Sequence, residues 1–124
     1  VQGTLSLHNA RADHYVPSGD PERYLLARVQ VRDAQGALLT QSTARMGQRW
    51  VWWPKAERLA DNRIAPDERR ELPLSFAMPP GAATVSVLVE HYRMSPENAD
   101  YHALDGYPIK TEIAAFSQSI GPTR

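Results

Sequence analysis

Cysteine is absent from the 124 residues. That absence excludes a thiol nucleophile, a zinc-thiolate site, an iron-sulfur cluster, a blue-copper thiolate and the Cys-x-x-Cys-His attachment of a covalent haem. With no disulfide available, the fold must rest on a hydrophobic core, and a chain of this size buries roughly 65–70% of its extended surface, enough for one. Net charge is missing too: 14 basic residues balance 14 acidic ones, which leaves no electrostatic footprint for a nucleic-acid role. Lysine is scarce, since every basic residue except Lys55 and Lys110 is arginine. Such a bias favours planar, bidentate contacts to carboxylates, and it also follows from a GC-rich genome. No apolar run approaches the roughly 20 residues of a membrane-spanning helix. The opening Val-Gln-Gly-Thr looks like neither a signal peptide nor a native start, so a mature or trimmed form is expected. What remains, 42% hydrophobic and 23% charged residues, is the composition of one ordinary folded domain spanning residues 1–124.

Ten prolines and seven glycines cut the chain into short pieces, most of which alternate with period two, the β signature. Leu5 and Leu7 alternate with Ser6 and His8 in a first strand ending near Asn9. From Tyr24 to Asp33, the row Leu25, Ala27, Val29 and Val31 is expected to be buried. Asp33-Ala-Gln-Gly36 reads as a hairpin turn returning the chain through Leu38 toward Arg45. A long tryptophan-rich connection is expected next. Glu71 to Met78 places Leu72, Leu74, Phe76 and Met78 on one face, with Pro73 marking an edge. After the Pro79-Pro-Gly81 turn, Thr84 to Arg93 turns Val85, Val87 and Val89 to the core. Ser95-Pro-Glu starts a short helix, roughly 96–104, and Ile109 to Ile120 supplies the last strand. The pattern predicts an all-β, antiparallel β-sandwich, immunoglobulin-like, of six to eight short strands with one short helix.

Four places carry candidate chemistry. His14 precedes Pro17 and Gly19 in a loop at one end of the sandwich, where it either satisfies loop backbone groups or presents an imidazole as an axial ligand. His91 and Met94, spaced His-x-x-Met, with His102 on the helix, suit copper(I) if the fold gathers them; His91 also continues a buried row and reads equally as a core or rim histidine. Trp50, Trp52 and Trp53 are the densest aromatic group. Alternation sends Trp50 and Trp52 to one side and Trp53 to the other, either to plug the core or to meet sugars, a haem edge or a partner protein. In Asp61-Asn-Arg63-Ile-Ala-Pro-Asp-Glu68, Asp61 and Arg63 can pair with each other, or Arg63 can reach an outside carboxylate. No nucleophile elbow, His-Glu-x-x-His or phosphate loop occurs, and no catalytic residue is expected.

Three segments, Asn9 to Leu26 (NARADHYVPSGDPERYLL), Asp61 to Glu68 (DNRIAPDE) and Val85 to Arg93 (VSVLVEHYR), resemble the β-sandwich domain found within or beside multihaem c-type cytochromes. The family's Gly-His-x-x-Pro-Thr-Gly segment has Asp13 in place of the glycine and Ser18 in place of the threonine here, and the haem-binding Cys-x-x-Cys-His is missing. The resemblance implies a non-catalytic accessory subunit or domain of an electron-transfer assembly in the periplasm or outside the cell, with no covalently bound cofactor. It implies a multihaem c-type cytochrome as partner, His14 as an axial ligand to a haem c of that partner, and Arg63 or Arg93 against haem propionates. Tyr15, Trp50, Trp52 and Trp53 would supply interface area. A periplasmic copper protein using His91, Met94 and His102, and a carbohydrate-binding module built on the tryptophans, are the competing expectations.

Overall fold

The computed structural model describes residues 2–102, 106 and 108–121. Among them are seven strands and one helix: β1 Gln2–His8, β2 Tyr24–Asp33, β3 Leu38–Val51, β4 Glu57–Asp61, β5 Arg69–Ser75, β6 Ala83–Tyr92, α1 Pro96–Tyr101 and β7 Lys110–Ile120. Five strands form an antiparallel sheet in the order β4-β3-β2-β6-β7, and β1 pairs with β5 as a second, two-stranded layer. The all-β sandwich expected from the period-two pattern is therefore present, divided five strands against two.

The centre of the large sheet is where the alternation is cleanest. Leu25, Ala27 and Val29 of β2 lie opposite His91, Val89 and Val87 of β6. Leu25, Ala27, Val29, Val87 and Val89 form one core with Met46 and Ile64, covered by Leu5 and Leu7 of β1 and Leu72 and Leu74 of β5. The β2–β3 hairpin closes as its sequence dictates. Asp33 Oδ1 accepts from the backbone N–H groups of Gln35 and Ala37, both at 2.9 Å, and Gly36 takes the positive φ of 85° that side chains resist. Pro73 sits on β5, which pairs only with β1, so its missing N–H costs no ladder bond.

Two expectations need correction. The tryptophan-rich stretch is not simply a connection: β3 continues through Trp50 and Val51 and turns back to pair with β4. The two-stranded second layer covers too little of the large sheet to impose apolar alternation on these outer positions, and β4 is exposed throughout. The strand expected to reach Met78 stops at Ser75, although Phe76 and Met78 remain half-buried on the expected side. The helix begins as expected, with Ser95 Oγ accepting from the Asn98 N–H at 3.1 Å, Pro96 in the first turn and Ala99 buried. It ends at Tyr101, and residues 103 and 104 of the expected span lie outside the described residues. No helix among the described residues is long and apolar enough to cross a membrane.

β2 approaches β3 closely at Gly47, which pairs with Tyr24. A Cβ there would lie 2.8 Å from the Tyr24 Cβ and 3.0 Å from the Arg23 carbonyl oxygen. Backbone cannot yield as a flexible side chain does, so Gly47→Ala is expected to destabilise by about 2 kcal/mol through overpacking. Urea unfolding of the variant checks it, and a midpoint equal to the parent's would show that the strands spread freely here.

Candidate functional site

Two of the segments singled out in the sequence meet at one end of the sandwich. Val16 and Ile64 form an antiparallel bridge with N–H to carbonyl bonds of 2.8 Å in both directions. Ile64, 3% exposed, anchors that bridge in the core. The His14 loop is thus fastened to the Asp61–Glu68 segment rather than merely lying beside it.

Asn9, buried at the end of β1, is the fastener that sequence reasoning missed. Its Nδ2 group donates to the carbonyls of His14 at 2.9 Å, Ile64 at 3.1 Å and Ala65 at 3.1 Å. Its own backbone donates to Glu68 and accepts from Asp67. A side-chain amide that bonds carbonyls of two loops, one of the bonds buried and two part-buried, fixes their relative position. No periodicity marks such a residue, and the only sequence signal is an amide placed where a strand enters a loop.

The Asp61–Glu68 segment is internally braced. Arg63 binds Asp61 through both carboxylate oxygens, at 2.9 and 2.7 Å, and its guanidinium lies 4.9 Å above the Tyr15 ring centroid. Glu68 accepts from the Ala65 N–H and from Arg70 Nε, while Arg70 also donates to the carbonyls of Asn62 and Arg63. Of the two roles open to Arg63, the internal one is what the structure displays. Asp61 takes two of its five N–H donors in a fork geometry.

The hydrogen bonds from Arg63, with its charge and that of Arg58 behind them, hold the Asp61 carboxyl down at about 2 from its ordinary 3.8. A depressed carboxylate stabilises the fold above its unfolded pKa. This contribution is fully present above 3.8 and is lost as pH falls through about 2. Carbon-detected NMR titration is therefore expected to place the Asp61 midpoint near 2. A midpoint near 3.8 would mean that the fork is open in solution.

His14 itself is exposed. Its Nδ1 lies 2.9 Å from the Tyr15 carbonyl oxygen. A carbonyl only accepts, so Nδ1 carries the proton, and the neutral ring keeps its lone pair on Nε2. That is the arrangement of a metal-ligating histidine whose tautomer is set by a backbone carbonyl. Residues flanking His14 on both sides, Arg11, Ala12 and Val16, line an apolar cleft of about 390 Å³ that reaches Leu25, Ile64 and Ile113. Among the described residues, no group of three or more His, Cys, Asp or Glu side chains gathers to hold a metal. A single imidazole beside an apolar cleft is suited to complete the coordination of a metal held by other groups.

The other expected residues stand apart from this loop. His91 lies on β6 opposite Leu25, where burial first, then the charges of Arg23 and Arg93, lower its pKa. Two nearby guanidinium charges make a poor surrounding for a cationic metal. His102 is exposed at the helix end, edge-on to Tyr101, and Met94 is half-buried between them in the chain. Arg93 is exposed, and its backbone N–H donates to the Ile109 carbonyl at 2.7 Å. The tryptophans do not plug the core. Trp50 and Trp52 stack on each other with ring centroids 5.1 Å apart, and Trp53 is 84% exposed.

No family model matches the chain, and no curated protein matches it. Among solved structures, the penta-haem cytochrome c552 from Thermochromatium tepidum superposes with a TM-score of 0.83 at 20% sequence identity. The match covers 96% of this chain and 36% of the cytochrome chain. At that identity the likeness shows the shared fold. The chain spans little more than a third of its structural neighbour's length.

Proposed function

We propose that this β-sandwich is a non-catalytic accessory element of a multihaem cytochrome assembly, and that its His14 Nε2 ligates the iron of a haem carried by a partner polypeptide. The observation that carries the reading is the His14 loop: an exposed imidazole whose Nδ1 is committed to the Tyr15 carbonyl, held by Asn9 beside an apolar cleft. The structural neighbour supports it, because there the same fold forms a minor part of a penta-haem cytochrome. With no cysteine in the chain, covalent haem attachment does not fit these residues; ligation from outside does. When bound, such a haem would supply electron transfer, and this chain would orient one ligand and exclude water from one side of the iron.

Tyr15, 46% exposed and braced from behind by Arg63, together with the exposed Trp53, offers aromatic area to the partner, the kind of residue that dominates interfaces. A periplasmic or cell-surface location follows from this reading. Affinity capture with the tagged chain in its native host is expected to retain a protein that stains for covalent haem. Recovery of the chain with no haem protein under low-salt conditions would remove the docking claim.

A further inference from the structure

A second site lies in a groove of about 360 Å³ whose lining does not include His14, Tyr15 or Arg63. Its floor is Tyr24, which stacks on Tyr92 at 4.7 Å and carries the Arg45 guanidinium 4.4 Å above its ring. Its wall is the pair of Trp50 and Trp52, parallel to within 7°. Trp50 is locked by its Nε1–H bond to Gln48 at 2.9 Å, and Trp52, 53% exposed, offers an aromatic surface to solvent. A pre-oriented ring surface in an open groove loses little entropy on binding.

Charge identifies the occupant. Arg45 and Arg49 both line the groove and are close enough to repel, since burial and then the charge of Arg49 lower the Arg45 pKa. Among the described residues neither has a carboxylate partner within ion-pair distance. The one carboxylate of the lining, Glu22, already accepts from Asn98 at 2.6 Å. A half-buried Arg45 and an exposed Arg49 lining one groove with no carboxylate partner make a carboxylate the matching ligand. The hydroxyl proton of Ser95 and the Oδ1 of Asn98 remain to meet hydroxyl groups, since their partner atoms are used in the cap and in the Glu22 bond.

We infer that this groove binds an acidic sugar, a uronate unit of a polysaccharide, with the C–H face of the ring on Trp52 and its carboxylate on Arg45 and Arg49. A pyranose presents a flat apolar face, an edge of hydroxyls and, in a uronate, one carboxylate, and the groove offers a surface for each. The inference is independent of the cytochrome reading. It adds a means of anchoring the chain to an anionic polysaccharide.

The test is tryptophan fluorescence of the intact chain titrated with tetragalacturonic acid, with maltotetraose as the neutral control and polyglutamate as the non-sugar polyanion. Saturable quenching is expected with the uronate, weakened at least about tenfold with the neutral sugar and in Arg49→Ala. Trp52→Ala, at an exposed position that leaves the fold intact, is expected to lose binding by a similar factor when followed by calorimetry, while His14→Ala binds as the parent does. Equal affinity for maltotetraose overturns the role of the arginines. Equal affinity for polyglutamate overturns sugar recognition, and absence of saturable uronate binding overturns the site.

Discussion

Asn9→Ala is expected to lower the stability of the sandwich by about 2 kcal/mol and to release the His14 loop. The side-chain amide serves the carbonyls of His14, Ile64 and Ala65 together, and alanine leaves all three without that donor. A carbonyl left with no partner costs about 1–3 kcal/mol; the Ile64 and Ala65 carbonyls keep the Val16 and Glu68 N–H groups, so the loss falls mainly on the His14 carbonyl and on the loop it holds. Asn9→Asp preserves shape but removes both N–H donors and sets a charge against the same carbonyl oxygens, so it is expected to cost at least as much. Urea unfolding gives the loss of stability. Amide exchange at Val16 and Ile64, whose mutual bonds depend on the loop staying in place, is expected to accelerate beyond what global destabilisation accounts for. Unaltered protection there, with stability within 0.5 kcal/mol of the parent by the usual standard for surface changes, would show that Asn9 is not the fastener.

The centre of the fold was legible because burial on one face writes itself into alternation. Leu25, Ala27, Val29 and Val31 are buried in the row their spacing predicts, and Ser95-Pro-Glu begins the helix. Legibility fails where the two-stranded layer ends. Beyond Gly47 the end of β3 is only half-buried or exposed and all of β4 is exposed, with little packing to demand apolar residues at every second position, so the stretch after Arg45 reads as a connection when much of it is strand. The same incomplete cover explains β7, exposed along almost its whole length.

The site was legible in outline only. Pro17 and Gly19 marked a tight loop that presents His14, and the two-residue spacing of Asp61 and Arg63 allowed the fork that is seen. What sequence could not give is convergence. Asn9 and Ile64 are 55 residues apart, and their hydrogen bond is written in the sheet topology rather than in any local pattern. The role of Trp50 and Trp52 was likewise hidden, because alternation put them on one side without saying that the side is open.

The proposed ligation by His14 rests on the backbone carbonyl that holds its Nδ1–H, since this leaves Nε2 as the free lone pair. Removing the ring removes the ligand but little else, because His14 is exposed and its loop is held through the His14 backbone carbonyl rather than its ring. His14→Ala is therefore expected to fold with near-parental stability and still dock through Tyr15 and Trp53. The measurement is the visible and electron paramagnetic resonance spectrum of the complex with its haem-bearing partner, for the parent, for His14→Ala and for His14→Gly supplied with imidazole. Ligation predicts that one haem passes from low spin to high spin in both variants and returns to low spin when imidazole fills the space left in His14→Gly. A complex that forms with an unchanged low-spin spectrum in His14→Ala would contradict it.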